Sequence, residues 1–371
     1  MKINLSKQTL QTALQNLGKA TPTRSTIPIL NTVLFTAKGS LNLRTTDLEI
    51  SIVALVESKI EEEGAVAIPY RTLSETVNAM PDTEIFIEAD EDNRVEIRTD
   101  FGNYDIAGSS AEEFPATPEV DNKKEIKISS DVFKRLILKT SFALSSDELK
   151  PALMGALFEV GEERVASVAT DGHRLAICSR TDYETAGYSG DVIVPKKFLH
   201  LVLPYLDEQE EVVLWVGDNH LTVSFNGITA FSRIIDERYP DYRSVLPQEN
   251  DKIVKVDREK MLAAVKRVSI FSNRATRQVT LKFADGKSQI TTEDPESASS
   301  AAETVDVEYN GEELTIGFNA LYLSDILSHL DTESAYLRLN TPISATLISP
   351  DAQQEQEEIT MLLMPMRTSG Q

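Results

Sequence analysis

The stretch Ala169-Thr170-Asp171-Gly172-His173-Arg174-Leu175-Ala176 places a histidine two residues from an acid, beside a glycine that leaves room for a ligand. Such a pair would suit proton transfer in a hydrolase, with Asp171 orienting His173 as the base. No nucleophile motif, metal-ligand spacing or Gly-rich phosphate loop accompanies it, and the chain has only four histidines to recruit. The acid is also copied. Thr46-Asp47 stands about 124 residues before Thr170-Asp171, and Glu293-Asp294 about 123 residues after it. A catalytic group is needed once, whereas a turn acid that bonds its own backbone is copied with the fold. The repeated Asp therefore reads as structural, and no catalysis, cofactor or metal is expected.

Other landmarks keep the same step. Phe114-Pro115, Tyr239-Pro240 and Met364-Pro365 close three units, and Pro69, Pro195 and Asn319 open a second helix in each. Each unit begins with a short alternating strand and a capped helix. Ser6 precedes Leu10, Ala13, Leu14 and Leu17; Ser129 precedes Phe133, Leu136, Ile137 and Thr140; Asp257 precedes Met261, Leu262, Val265 and Val268. Alternating hairpin segments follow at residues 27–56, 156–180 and 279–293, where Asp285-Gly286 is a two-residue turn signal. Second helices are predicted over residues 70–79, 196–206 and 319–330, and further strands close each unit. Proline-containing links over residues 109–125 and 236–252 read as crossovers between domains. The expectation is an α+β protein of three domains, 1–120, 121–246 and 247–371, each with two helices packed on antiparallel sheet.

With 371 residues, 41% hydrophobic and 26% charged, the composition is that of an ordinary globular protein. No apolar run is long enough for a signal or membrane segment, so the cytoplasm is the expected location. The lone Cys178 has neither a disulfide partner nor metal-ligand neighbours, which fits a reducing compartment and a buried small side chain.

Net charge is −22, which taken whole argues against nucleic acid. The distribution is uneven. No acid occurs before Asp47, yet Lys7, Lys19 and Arg24 lie there on or after the first helix. The first helix of the second unit carries Lys134, Arg135 and Lys139; that of the third, with its continuation, carries Arg258, Lys260, Lys266, Arg267, Arg274 and Arg277. Second helices add Arg71, Lys196 and Lys197, but the one after Asn319 has no Lys or Arg and includes Asp325. For any one of these residues the bland alternative is a solvated helix face. Repetition in the same element of three units, in an otherwise acidic chain, favours a face that meets a polyanion. No aromatic platform, helix-turn-helix or finger pattern accompanies it, so the contact expected is with phosphates and without base reading.

Several short motifs in order then identify a likeness. The stretch at residues 169–176, Pro240-Asp241-Tyr242, Val245-Leu246-Pro247, Ile27-Pro28-Ile29-Leu30 and Met364-Pro365-Met366-Arg367 closely resemble the bacterial sliding clamp, the beta subunit of DNA polymerase III, from end to end. The resemblance implies a processivity factor without chemistry of its own: a head-to-tail homodimer whose six domains form a ring, with helices lining a hole around double-stranded DNA. It implies a dimer contact of Tyr104 and Ile106 with Ile270 and Phe271. It implies an apolar pocket for short peptides of the polymerase alpha subunit, other polymerases, the clamp loader and repair proteins. The matching pocket residues are Leu153, Thr170, Gly172, His173, Arg174, Leu175, Pro240, Val245, Ile343, Leu362, Met364, Pro365, Met366 and Arg367. Flexible methionines and leucines suit a site that receives different peptides. Ser244 stands where clamps often have a second arginine, and Pro151 and Ala152 stand where some have aromatics. The competing reading is a non-encircling peptide-binding scaffold. Trimeric clamps of other kingdoms have two domains per subunit, so three units favour two subunits.

Overall fold

The computed structural model describes residues 1–22, 24–117, 124–183, 188–206, 211–225 and 227–367. The expected boundary at 120/121 and the tail 368–371 lie outside the described residues.

The first repeat runs β1 (Lys2–Ser6), α1 (Lys7–Leu17), β2 (Thr32–Lys38), β3 (Ser40–Thr46), β4 (Ile50–Val56), β5 (Lys59–Glu62), β6 (Gly64–Pro69), α2 (Tyr70–Ala79), β7 (Glu84–Ala89), β8 (Arg94–Thr99) and β9 (Gly102–Ala107). The second runs β10 (Lys124–Ser129), α3 (Ser130–Thr140), β11 (Gly155–Val160), β12 (Val165–Thr170), β13 (Arg174–Arg180), β14 (Gly190–Pro195), α4 (Lys196–Leu206), β15 (Glu211–Val216), β16 (His220–Phe225) and β17 (Ile228–Arg233). The third runs β18 (Lys252–Asp257), α5 (Arg258–Ser269), β19 (Gln278–Ala284), β20 (Lys287–Asp294), β21 (Ser299–Glu308), β22 (Leu314–Asn319), α6 (Ala320–Ser328), β23 (Ser334–Leu339), β24 (Thr346–Pro350) and β25 (Glu357–Leu363). The order of helices and strands recurs three times, with β5 as the one addition.

Local chemistry explains the helix starts. Ser6, Ser129 and Asp257 each accept a hydrogen bond from the backbone N–H three residues on, at Thr9, Val132 and Lys260. Behind the caps, Leu10, Ala13, Leu14 and Leu17 of α1 are buried, as are Phe133, Leu136 and Ile137 of α3. In α5 the buried set is Met261, Ala264, Val265 and Val268; three of the four expected positions are buried, and Ala264 takes the place of the half-buried Leu262.

The compact units do not coincide with the repeats. One comprises Met1–Ile128 with His200–Ile234, the other Ser129–Leu199 with Ile235–Gln371, so the central repeat is divided between them. In the first unit β5-β1-β7-β8-β9 form one antiparallel sheet, and β10-β15-β16-β17-β4-β3-β2-β6 form another. The seam between repeats is the β17–β4 pair, with Phe231 opposite Ser51 and Thr229 opposite Val53. In the second unit twelve strands run β14-β11-β12-β13-β25-β24-β23-β18-β21-β20-β19-β22. There the seam is β13–β25, with Leu175 opposite Leu362. In both seams the third strand after a repeat's first helix meets the last strand of the next repeat.

The turn acids behave as a structural reading requires. Asp47 Oδ1 accepts from the N–H groups of Glu49 and Ile50, at 3.0 and 2.7 Å, and Asp171 Oδ1 from those of His173 and Arg174, at 2.9 and 3.0 Å. The third copy is shifted by one residue. Asp294 pairs with Ser299 as Thr46 pairs with Ser51 and Thr170 with Leu175, so Pro295 stands where the Asp of the other turns stands. Asp294 Oδ1 takes the N–H of Glu296, the bond that the Thr46 and Thr170 hydroxyls take from Leu48 and Gly172. The aspartate there replaces the threonine.

Candidate partner pocket and basic helices

The β12–β13 turn is held open by chemistry already in the sequence. Gly172 sits at φ 92°, a left-handed backbone for which glycine is the natural residue. Thr170 closes the turn by donating its hydroxyl to the Arg174 carbonyl at 2.6 Å. His173 is thereby exposed, and its ring stacks on Tyr322 with centroids 6.0 Å apart.

Arg174 is buried and fully engaged. Its guanidinium donates to Asp171 Oδ2 at 3.1 Å, to Asp325 Oδ2 at 2.5 Å and to the Phe142 carbonyl at 2.7 Å, and it lies 4.6 Å over the Tyr322 ring. It ties the second repeat to α6 of the third. The sequence reading missed Phe142 and Tyr322 altogether; Asp325 had a visible signal, as the lone acid in a helix without Lys or Arg.

Beside this turn an apolar floor is assembled across the seam. Leu157, Val168, Leu175, Ile193, Tyr242 and Leu362 are buried together, with Ala152, Ile177, Ile235, Tyr239, Leu246, Ala345 and Leu347 packed against them. Of the residues expected in the pocket, Leu175 and Leu362 are in this floor and Leu153 is buried nearby in sequence, next to Ala152. Val245, Ile343 and Met364 are exposed large apolar side chains, at 53%, 68% and 41%. Pro240 and Gly172 are exposed, Pro365 and Met366 half-buried, and Arg367 exposed. The segment after β25 is pinned by its backbone: Met364 N–H donates to the His173 carbonyl at 2.9 Å and Met366 N–H to Gly317 at 2.8 Å. A buried apolar floor of this kind is suited to receiving a peptide's hydrophobic residues. Ser244 donates its hydroxyl to the Asp241 carbonyl at 2.7 Å, whereas the neighbouring Arg243 is drawn to Glu159 at 2.6 Å. The Tyr242 hydroxyl donates to the same carboxylate at 2.8 Å, and burial together with that carboxylate pushes the phenol well above its ordinary pKa.

The basic residues divide sharply. Arg24, Arg71, Lys266, Arg274 and Arg277 are exposed; Lys7, Lys134 and Lys196 are half-buried, and Lys19 and Lys197 are exposed. Arg71 meets Glu75 at 2.8 Å, Lys7 meets Gln11 at 2.7 Å, and Lys19 donates to the Tyr205 hydroxyl at 2.8 Å. Arg267 is paired with Glu303 of β21. Two expected polyanion contacts are corrected. Lys139 is buried against Asp331 and the His329 carbonyl, and Arg135 is bound to Asp331 at 2.7 Å and to the buried Glu357. Unlike the exposed Arg267, Lys139 is buried and Arg135 only 21% exposed among these acids, so neither is presented to phosphates.

Of the expected dimer residues, Tyr104 and Ile106 lie on β9, an edge strand of its sheet, and Ile270 and Phe271 are exposed just past α5. Among the described residues no helix is long and apolar enough to cross a membrane, and no group of three or more His, Cys, Asp or Glu could hold a metal.

Three family models cover the chain in succession: the N-terminal domain of the DNA polymerase III beta subunit over residues 1–118, its central domain over 127–241 and its C-terminal domain over 243–367. The chain belongs to the bacterial beta sliding clamp family. It is 32% identical to the beta sliding clamp of Pseudomonas aeruginosa over 370 residues, covering 99% of this chain and 100% of that protein. It is likewise 32% identical to that of Escherichia coli K12 over 371 residues, with the same coverage. The crystal structure of the P. aeruginosa DNA polymerase III subunit beta superposes with a TM-score of 0.93 at 32% identity, over 99% of this chain and 100% of that one. The Caulobacter crescentus sliding clamp does so with a TM-score of 0.93 at 31% identity and the same coverage. A further P. aeruginosa sliding clamp, with griselimycin bound, matches at 0.91 and 33% identity, again over 99% and 100%. As a sliding clamp the chain is a DNA polymerase processivity factor built from three clamp domains, and its family does no catalysis.

Proposed function

We propose that this sliding clamp works as a head-to-tail homodimer that encircles double-stranded DNA, with domains at 1–120, 121–246 and 247–371. The observation that carries the reading is a seam that is missing within one chain. Twice, the strand closing a repeat's first hairpin pair meets the last strand of another repeat: β4 with β17, and β13 with β25. By the same rule β21 calls for β9. β9 is a sheet edge, and β21 has β20 along one side while its other side meets β18 only at Val307 and Glu308. Two copies pairing β9 with β21 reciprocally form two equivalent heterologous contacts and close after two subunits. Tyr104, Ile106, Ile270 and Phe271 belong to that contact.

Lys7, Lys19, Arg24, Arg71, Lys134, Lys196, Lys197, Lys266, Arg267, Arg274 and Arg277 face the duplex phosphates. Contacts of that kind hold DNA weakly, with Kd on the order of 10⁻⁴ to 10⁻⁶ M at physiological salt, so closure of the ring supplies the retention and the weak contacts permit sliding. The floor around Leu175 and Leu362, with the rim of Val245, Ile343 and Met364, takes short peptides of the polymerase alpha subunit, the clamp loader and repair proteins. The test is topological: the protein, loaded on nicked circular DNA, co-elutes with the circle and is lost when the circle is cut. Equal retention on linear and circular DNA favours the non-encircling scaffold.

A further inference from the structure

The first seam carries a cavity at the position that the peptide pocket occupies on the second. It has a volume of about 380 Å³ and is lined by Leu34, Thr36, Asn42, Arg44, Val53, Thr117, Thr229 and Phe231. Strand registers make the two places equivalent. Leu34 faces Arg44 across β2–β3 as Leu157 faces Val168 across β11–β12. Phe231 follows β4 as Leu362 follows β13. Phe114 and Pro115 cross this face as Tyr239 and Pro240 cross the other, and Phe114 is buried with Leu34 as Tyr239 packs with Leu157. The difference in charge lies in one residue: an arginine replaces the floor valine, while Phe231 stands for Leu362 and Ser51 for Leu175.

Among the described residues Arg44 meets no carboxylate. Its guanidinium donates to the Thr117 hydroxyl and the Pro115 carbonyl and lies 5.0 Å from the Phe114 ring centre. Its buried Nε has no hydrogen-bond partner. Burial draws its pKa below the ordinary arginine value, with no acid opposing the fall. Among the described residues the cavity lining holds this one cation and no acid, in a protein of net charge −22. A partly desolvated guanidinium served only by neutral acceptors gains a charge-assisted pair when a carboxylate arrives. Leu34, Val53 and Phe231 give the same cavity an apolar wall.

We infer that the β2–β3–β4–β17 face is a second docking site, specific for a peptide segment in which an acidic side chain, received by Arg44, adjoins an apolar one, received by Leu34, Val53 and Phe231. The choice of a peptide rests on the peptide reading of the equivalent pocket; the choice of an acid rests on Arg44 itself.

The probes are two capped, fluorescent hexapeptides that differ only in a central glutamate–leucine or glutamine–leucine pair, titrated by anisotropy against the full chain. The glutamate peptide binds the unaltered protein, and its affinity falls at least tenfold for the glutamine peptide and for Arg44→Gln. Arg44→Lys keeps the charge without the fork and falls between. The double variant Val245→Asp with Met364→Asp, altered only in the other pocket, binds the glutamate peptide as the unaltered protein does. Hydrogen exchange on the unaltered protein shows added protection at β3 and at Phe114 to Thr117 when the peptide is present, which does not depend on any variant folding. Equal affinity for the two peptides, no binding at millimolar peptide, or binding abolished in the Val245→Asp, Met364→Asp protein each overturns the inference. The last outcome would leave the other pocket standing.

Discussion

The ammonium of Lys139 lies 2.6 Å from Asp331 Oδ1 and 2.6 Å from the His329 carbonyl oxygen, which joins α3 of the second repeat to the segment after α6 of the third. A lysine in the helix expected to face phosphates is thus an internal brace. Lys139→Ala should lower thermal stability by about 1 kcal/mol or more, because a part-buried carbonyl loses its donor and Asp331 loses one of its two. It should leave the salt dependence of DNA binding unchanged. By contrast, Lys266→Ala or Arg274→Ala should reduce the slope of log K against log salt by roughly 0.9 per residue. A reduced slope for Lys139→Ala would return that residue to the DNA face.

The same brace sets an acid limit. Burial alone would raise the Asp331 pKa, but the bonds from Lys139 and Arg135 outweigh it and hold the carboxyl below its ordinary value. Asp182 is held low in the same way by Arg180. A carboxyl depressed in the folded state contributes stability that is complete above its unfolded value, about 3.9, and is lost as pH falls through the folded one. The melting temperature should therefore be insensitive to these groups between about pH 5 and 7 and fall below about pH 4. Asp331→Asn should melt lower at neutral pH and lose part of the acid dependence. An unchanged acid profile in that variant would show that Asp331 contributes little.

Sequence legibility followed the range of the forces involved. Caps at Ser6, Ser129 and Asp257 are local, so composition and spacing located the helix starts directly. The recurring Asp was legible as a turn residue, yet its third copy is a threonine equivalent, because an aspartate can take the same N–H bond from one position earlier. Long-range pairing was not legible. Nothing near Lys139 in sequence indicates Asp331, 192 residues away, and nothing near Arg174 indicates Asp325, 151 residues away. The sheet that brings each pair together is set by seams between repeats. Arg44 escaped notice for the same reason, since its missing counter-charge is a property of the β2–β3–β4–β17 face and not of β3.

Cys178 should be inert. Its thiol is buried, and burial reinforced by the Glu357 charge pushes its pKa up to about 12. The thiolate is the reactive form, so a thiol reagent at pH 8 should label the folded protein far more slowly than the same protein in denaturant. Rapid labelling of the native protein would mean that the β13–β25 seam opens readily.

The peptide pocket should respond to its rim. Val245 and Met364 are exposed, so aspartate at both leaves the core intact while setting two charges beside an apolar floor. Affinity for a short apolar peptide should fall by at least tenfold, read by anisotropy, with the melting temperature preserved. Undiminished affinity would place the peptide elsewhere.

In the proposed dimer, closure turns on Ile270 and Phe271, which are 76% and 45% exposed in one chain, next to the half-open strand β21. Large apolar side chains exposed together beside an unpaired ladder mark a surface that another chain covers. One subunit is 41.1 kDa, so light scattering of the unaltered protein should give about 82 kDa, set by two equivalent contacts. Ile270→Asp with Phe271→Asp buries charge at both contacts at once and should give soluble species near 41.1 kDa that retain peptide binding, because the pocket floor lies wholly within one chain. A dimer that survives both substitutions would move the contact away from β9 and β21, and with it the ring.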